Sequence, residues 1–97
     1  MSKKIRISRP AQRDLDEIWF FIAQDSLTAA DSFVDDLTDK FSLLASFPKM
    51  GRSREDLGPE LRSFPVKNYL VLYRSVKERV ELVRVVHTAR DLKALFK

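Results

Sequence analysis

One histidine and a small group of arginines are the residues in this sequence whose types suit chemistry. His87 is the only histidine, and imidazole is the one side chain whose ordinary pKa lies near neutrality, so it is the natural general acid or base. Arg62, Arg74, Arg84 and Arg90 all fall in the second half of the chain. Gathered in a concavity, they would hold phosphates and stabilise a developing dianion, as an endonuclease requires. If strand alternation is regular, Arg62 and Arg74 point together. Each candidate also has a plainer role. A strand-end histidine can bond to neighbours around Arg90 or Asp91 and order the terminal segment, and without an assembled base and stabiliser it does not define a site. The arginines can be taken up in salt bridges, Arg90 around Asp91 and Arg84 around Glu81. Arg84 lies between Val83, Val85 and Val86, where an unpaired charge would cost several kcal/mol, so it must be paired or face a cleft.

Composition removes other chemistries. There are no cysteines, hence no disulfide framework and no thiolate metal site, and a single histidine gives zinc too few nitrogen or sulfur ligands. The sequence has no Gly-rich phosphate cradle, no nucleophile elbow, no internal repeat and no low-complexity tract, so no cofactor is expected. The N-terminus is basic but lacks the apolar stretch of a signal peptide, and no segment is long enough to span a bilayer, which points to a cytoplasmic protein. At 97 residues with 44% hydrophobic residues, the chain is expected to fold as one domain, residues 1–97, without staples. The net charge of +4 is unevenly spread. Residues 1–10 hold four bases and no acids, residues 11–47 two bases against eight acids, and residues 48–97 twelve bases against six acids. If the middle block forms one layer, the molecule has an acidic and a basic side, which suits an acidic or nucleic-acid partner as well as plain solvation.

The elements that must position these residues follow from periodicity. Ile5 and Ile7 alternate with polar residues from Lys4 to Ser8, the pattern of a half-buried strand. Ser8 offers a cap and Pro10 sits in the first turn of a helix over about residues 10–24, with Asp14, Asp16 and Glu17 near the positive end of its dipole. Ala11, Leu15, Ile18, Trp19, Ile22 and Ala23 form its buried face. Ser26 or Thr28 caps a second helix, with Asp31 placed as in a variant capping box. The stripe of that helix runs from Ala30 through Phe33, Leu37 and Phe41 to Leu44 and Ala45, and the short link at residues 25–28 makes the pair an antiparallel hairpin. Residues 49–60 read as a loop. Leu61 to Arg74 reads as two strands, with Pro65 confined to an edge or bulge. Residues 75–79 make a turn, and Val80 to His87 is a central strand with Leu82 and Val86 on one face and Val83 and Val85 on the other. Residues 88–97 read as a short terminal helix. The fold class is therefore α+β: an N-terminal strand, a helical hairpin on one face of a small, mainly antiparallel sheet, and a short C-terminal helix.

In this order the residues resemble the ParE branch of the RelE/ParE toxin superfamily, toxins of bacterial type II toxin-antitoxin pairs. The resemblance rests on Ala11, Asp14-Leu15, Glu17-Ile18-Trp19 and Ile22-Ala23, on Pro48 with Gly51-Arg52, on Leu61 to Val66 and Tyr69 to Arg74, and on Arg84-Val85-Val86-His87 with Arg90-Asp91. It implies a toxin neutralised in a hetero-oligomer by a cognate antitoxin. Members most like this chain inhibit DNA gyrase by stabilising the cleaved DNA complex. RelE relatives instead cut mRNA in the ribosome, and in that alternative His87, Arg62, Arg84 and Arg90 would be catalytic; a third alternative is a non-toxic binding module of the same fold. Three departures weigh against the ribonuclease. Leu70 stands after Tyr69 where a base is usual, no tyrosine follows His87, and the second helix is acidic. Arg90, Lys93, Phe96 and Lys97 are the candidates for contacting gyrase. Phe20, with Arg62, Arg74 and Arg84, is a candidate for contacting the antitoxin, whereas Trp19 and Phe21 are expected in the core.

Overall fold

The computed structural model describes residues 4–96. The first strand, β1 (Lys4–Ile7), runs into helix α1 (Arg9–Ala23) through Ser8. That serine is the cap the sequence predicts: its Oγ accepts from the Ala11 N–H at 3.2 Å and donates to the Val83 carbonyl at 2.9 Å, tying the helix start to the sheet. Helix α2 (Leu27–Ser46) is capped by Ser26, whose Oγ accepts from the Ala29 N–H at 3.1 Å. Thr28 lies inside the helix, and Asp31 takes no part in a capping box. Its carboxylate instead accepts from Trp19 Nε1 at 2.9 Å and clasps the two helices together.

A 3-10 turn at Pro48–Met50 leads into the two-residue strand β2 (Arg52–Ser53), followed by β3 (Leu61–Val66), β4 (Tyr69–Val76), β5 (Arg79–His87) and the single turn α3 (Leu92–Leu95). The strands form one mixed sheet in the order β1-β5-β4-β3-β2. β1 is parallel to β5 and the other pairs are antiparallel. The strand at 52–53 falls within the segment expected to be loop; two residues are too few to show a period. Pro65 lies past the last β2 pair, at Ser63 and Arg62, where β3 is the sheet's edge, as proline requires. The β4–β5 turn is narrower than residues 75–79, since Val76 already pairs with Arg79. Lys77 takes the left-handed conformation there, and Lys67 does so in the β3–β4 turn, at φ 56° and 54°. The terminal helix is also shorter than expected. Arg90 N–H closes a turn on the His87 carbonyl, so helix can begin only at Asp91, which caps it.

The two helices cover one sheet face, where Leu15, Phe33, Leu37, Phe41 and Leu44 meet Val71, Tyr73, Val80, Leu82 and Val85. A second cluster of Leu57, Leu61, Leu72 and Val86 lies on the other face under the loop and α3. The parity expected for β5 is corrected here. Leu72 pairs with Arg84 but Tyr73 pairs with Leu82, so a β-bulge at Val83 and Arg84 shifts the register. Beyond it the alternation is reversed, which puts Val85 with Leu82 on the helical side and Val86 with Val83 on the other.

Candidate functional site

Asp14 lies on the buried face of α1, one turn from Ala11 and Ile18, and is 9% exposed. Arg84 of β5 reaches it from the sheet. Arg84 Nε and Nη2 donate to the two carboxylate oxygens at 2.7 and 2.9 Å, and the Val85 N–H donates to Oδ2 at 2.9 Å. This is a planar two-point pair with a third bond from the backbone, the arrangement that makes a half-buried charge tolerable. The hydrogen bond to Asp14 is the main reason the Arg84 guanidinium titrates above its ordinary range, with burial opposing it. Arg84 thus has the partner its apolar setting demands. That partner lies on α1 and not around Glu81 on its own strand.

Arg62 is also engaged inside the molecule. Its Nη1 donates to the Gly51 carbonyl at 2.7 Å, beside Tyr73, whose hydroxyl donates to the Pro48 carbonyl at 2.7 Å and accepts from the Gly51 N–H at 2.9 Å. Burial pushes the Tyr73 phenol above its usual pKa. Gly51 is required by space, because a Cβ there would overlap Tyr73 Oη and stand 2.9 Å from the Ser63 carbonyl. Three groups therefore pin the segment after α2 to the middle of β3 and β4.

The expected basic concavity does not assemble. Arg62 pairs with Tyr73 and Arg74 with Leu61, so the two arginines leave opposite faces of the sheet. Arg74 belongs to a row across three strands, in which Glu81 Oε1 lies 3.8 Å from Arg74 Nε and Oε2 lies 3.7 Å from Arg6 Nε. His87, at the far end of β5, is exposed, with Nδ1 accepting from the Ala89 N–H at 3.1 Å and its ring edge-on to Tyr69. The side chain bonds locally, but to Ala89 and not to residues 90 or 91. Arg90 is exposed on the following turn. Among the described residues no group of histidine, cysteine and carboxylate side chains could hold a metal, and no helix is long and apolar enough to cross a membrane.

Two surfaces remain open. At the tip of the helical hairpin Phe20, Phe21 and Leu27 are 67%, 68% and 62% exposed. Phe21 was expected inside; it lies in the last turn of α1 at the hairpin tip, beyond Ile18, the last buried residue of that helix. Trp19 stands at the stripe's edge, half-buried, with Phe20 stacked edge-on at 5.5 Å. At the C-terminal segment Lys93 is exposed, while Phe96 packs with Leu92 and Leu95 on the second cluster. Lys97 lies outside the described residues.

Residues 5–92 match the family model described as ParE toxin of type II toxin-antitoxin system, parDE. The chain belongs to the ParE toxin family. It is 35% identical over 95 residues to Toxin ParE3 of Caulobacter vibrioides, covering 97% of this chain and 94% of that one. Toxin ParE1 of the same organism is 33% identical, over 95% of this chain and 96% of the relative, and Toxin ParE1 of Mycobacterium tuberculosis is 27% identical over 95% and 96%. A solved structure described as a chromosomal ParDE TA system from P. aeruginosa shares the fold with a TM-score of 0.74 at 18% identity, over 89% of this chain and 96% of that one.

Within this ParE fold, sequence reasoning missed Asp14, Tyr73 and Gly51 as the polar anchors. A signal for Asp14 was present. It is the one acid that falls on the apolar stripe of α1, four residues before Ile18 and beside Leu15. For Tyr73 and Gly51 no local signal exists, since their contact spans 22 residues.

Proposed function

We propose that this ParE-family chain arrests growth by binding DNA gyrase in the cytoplasm and holding it on cleaved DNA, and that a cognate antitoxin neutralises it. The chain acts by binding and performs no covalent step. The observation that supports this reading is the engagement of the nuclease candidates. Arg84 is spent on Asp14, Arg62 on the Gly51 carbonyl, and His87 Nδ1 on the Ala89 N–H, so none of the three converges with another on a common point. A general acid or base needs a phosphate stabiliser within reach of the same atom, and neither Arg62 nor Arg84 is free to serve His87 as one. Exposed basic Arg90, just before α3, and Lys93 within it are the residues this reading assigns to the target, with Phe96 packed on the second cluster. It assigns the antitoxin to the hairpin tip, where an amphipathic segment would cover Phe20, Phe21 and Leu27.

The test is a supercoiling assay with purified gyrase, ATP and the toxin freed of antitoxin. Accumulated cleaved DNA, reversed by adding antitoxin, is the expected result. No effect from protein shown to be folded, together with transcript cleavage on translating ribosomes, would replace gyrase with mRNA as the target.

A further inference from the structure

The sheet face turned away from α1 and α2 carries a second set of bases that the gyrase reading does not use. Arg6 pairs with Glu81 across β1 and β5, and Arg74 pairs with Glu81 across β4 and β5, so one carboxylate stands between two guanidiniums. It satisfies neither: the nearest approaches are the 3.7 and 3.8 Å already given, too long for hydrogen bonds, and Arg74 Nε is buried without an acceptor. Arg79 lies two residues before Glu81 on the same strand and hence on the same face. It makes no ion pair among the described residues, and with Arg6 it lines a groove of about 480 Å³ along the β1 edge. Three arginines thus surround one glutamate, and donors are left over.

We infer that Arg6, Arg74 and Arg79, grouped about Glu81, form a surface that takes the phosphodiester backbone of nucleic acid. Strand spacing puts Arg6 and Arg74 about 10 Å apart on either side of β5, and Arg79 about 7 Å along it from Glu81. A polymer presenting phosphates in series can meet all three at once. The groups are guanidiniums, whose planar fork matches phosphate oxygens, and they stand on strands whose backbone is fixed by the ladder. The site is open and holds no pocket for a base, so it reads charge and not sequence. The inference does not depend on which macromolecule the toxin poisons.

The test is fluorescence anisotropy of a labelled duplex of about 20 base pairs with the antitoxin-free toxin, at salt steps from roughly 50 to 200 mM. Binding is expected in the range of about 1–100 µM, weakening steeply with salt. The double variant Arg6→Ala/Arg79→Ala is expected to bind about tenfold more weakly at low salt and to lower the slope of log affinity against log salt by about two. Arg79→Ala alone touches no ion pair of the fold and is expected to lower the slope by about one, so a folding defect in the double variant leaves a clean measurement. Arg13→Ala, on the helical layer, is expected to change nothing. An unchanged slope in Arg79→Ala, or no binding by wild-type toxin at 50 mM salt, would overturn the assignment. So would a polyglutamate of equal length that displaces the duplex at equal concentration, which would mark a general acid-binding surface.

Discussion

Replacing Asp14 by alanine removes the acceptor for three donors at once, two on Arg84 and one on the Val85 backbone. The Val85 N–H is buried, and leaving it unpaired costs about 1–3 kcal/mol. Arg84 loses its counter-charge, but its side chain is 24% exposed and water recovers part of the loss. The sum is about 3–4 kcal/mol, near the lower end for breaking a buried pair. For a domain of this length that is a fall in Tm of roughly 10–30 °C, a large share of a total stability of about 5–15 kcal/mol. Arg84→Met is expected to cost less, about 2–3 kcal/mol, because the Val85 N–H still holds the carboxylate. The double variant Asp14→Ala/Arg84→Met removes both charges and is expected to lose less than the sum of the two single changes, with a coupling energy of about 2 kcal/mol. Urea unfolding at pH 7 measures all three. Supercoiling assays on the folded fraction then separate structure from function: Arg84→Met is expected to keep wild-type potency per folded molecule. A variant of unchanged stability and lost potency would refute the reasoning and return Arg84 to the target surface.

Tyr73→Phe removes the donor to Pro48 and the acceptor for Gly51 and is expected to cost about 1–3 kcal/mol. Because burial raises the Tyr73 pKa, the folded state keeps a proton that the unfolded chain releases near pH 10. This contribution to stability is full below pH 10 and declines as pH rises through the folded value, so wild type is expected to lose stability above pH 10 faster than Tyr73→Phe; parallel urea curves at pH 9 and about pH 11 would contradict this. Phe20→Ala/Phe21→Ala is expected to weaken antitoxin binding by calorimetry at least about tenfold while moving Tm little, since both rings are mostly in solvent. A large loss of stability would place the rings in the fold instead. Arg90→Ala/Lys93→Ala is expected to reduce gyrase inhibition and spare antitoxin binding, and equal potency to wild type would remove that segment from the target surface. Point variants are preferable there to truncation after Asp91, which would also uncover Leu57, Leu61, Leu72 and Val86.

The elements were legible wherever a period ran for two turns or more. The stripe of α2 and the middle of that of α1 appear in the structure as expected, because a helix against a sheet has only one way to bury Leu15, Ile18, Phe33 and Leu37; Trp19, Ile22 and Ala23 are only half-buried. Arg84 announced its need for a partner by its apolar neighbours. The partner itself was not legible, being 70 residues away on another element. Within β5 strand parity failed at a single point for a single reason. The bulge at Val83 and Arg84 inserts one residue, and alternation counted from either side then gives opposite answers for the other. The error over Phe21 was of another kind. An aromatic residue beside a stripe looks like core from sequence, and only the direction of the neighbouring helix shows that nothing covers it.

The engagement of the arginines bears on where this ParE-family chain can act. Arg84 is turned inward and paired with Asp14, and Arg62 is held by the Gly51 carbonyl. The middle of the sheet is thereby emptied of free positive charge, which is the region a nuclease would need. Among the outward bases, Arg90 and Lys93 stand on the C-terminal segment, and Arg6, Arg74 and Arg79 stand about Glu81 near the β1 edge. Exposed Phe20 and Phe21 stand at a third place, on the acidic helical layer. Surfaces so divided suit a protein that holds partners against itself, and each of the three can be altered without disturbing the pair that keeps α1 on the sheet.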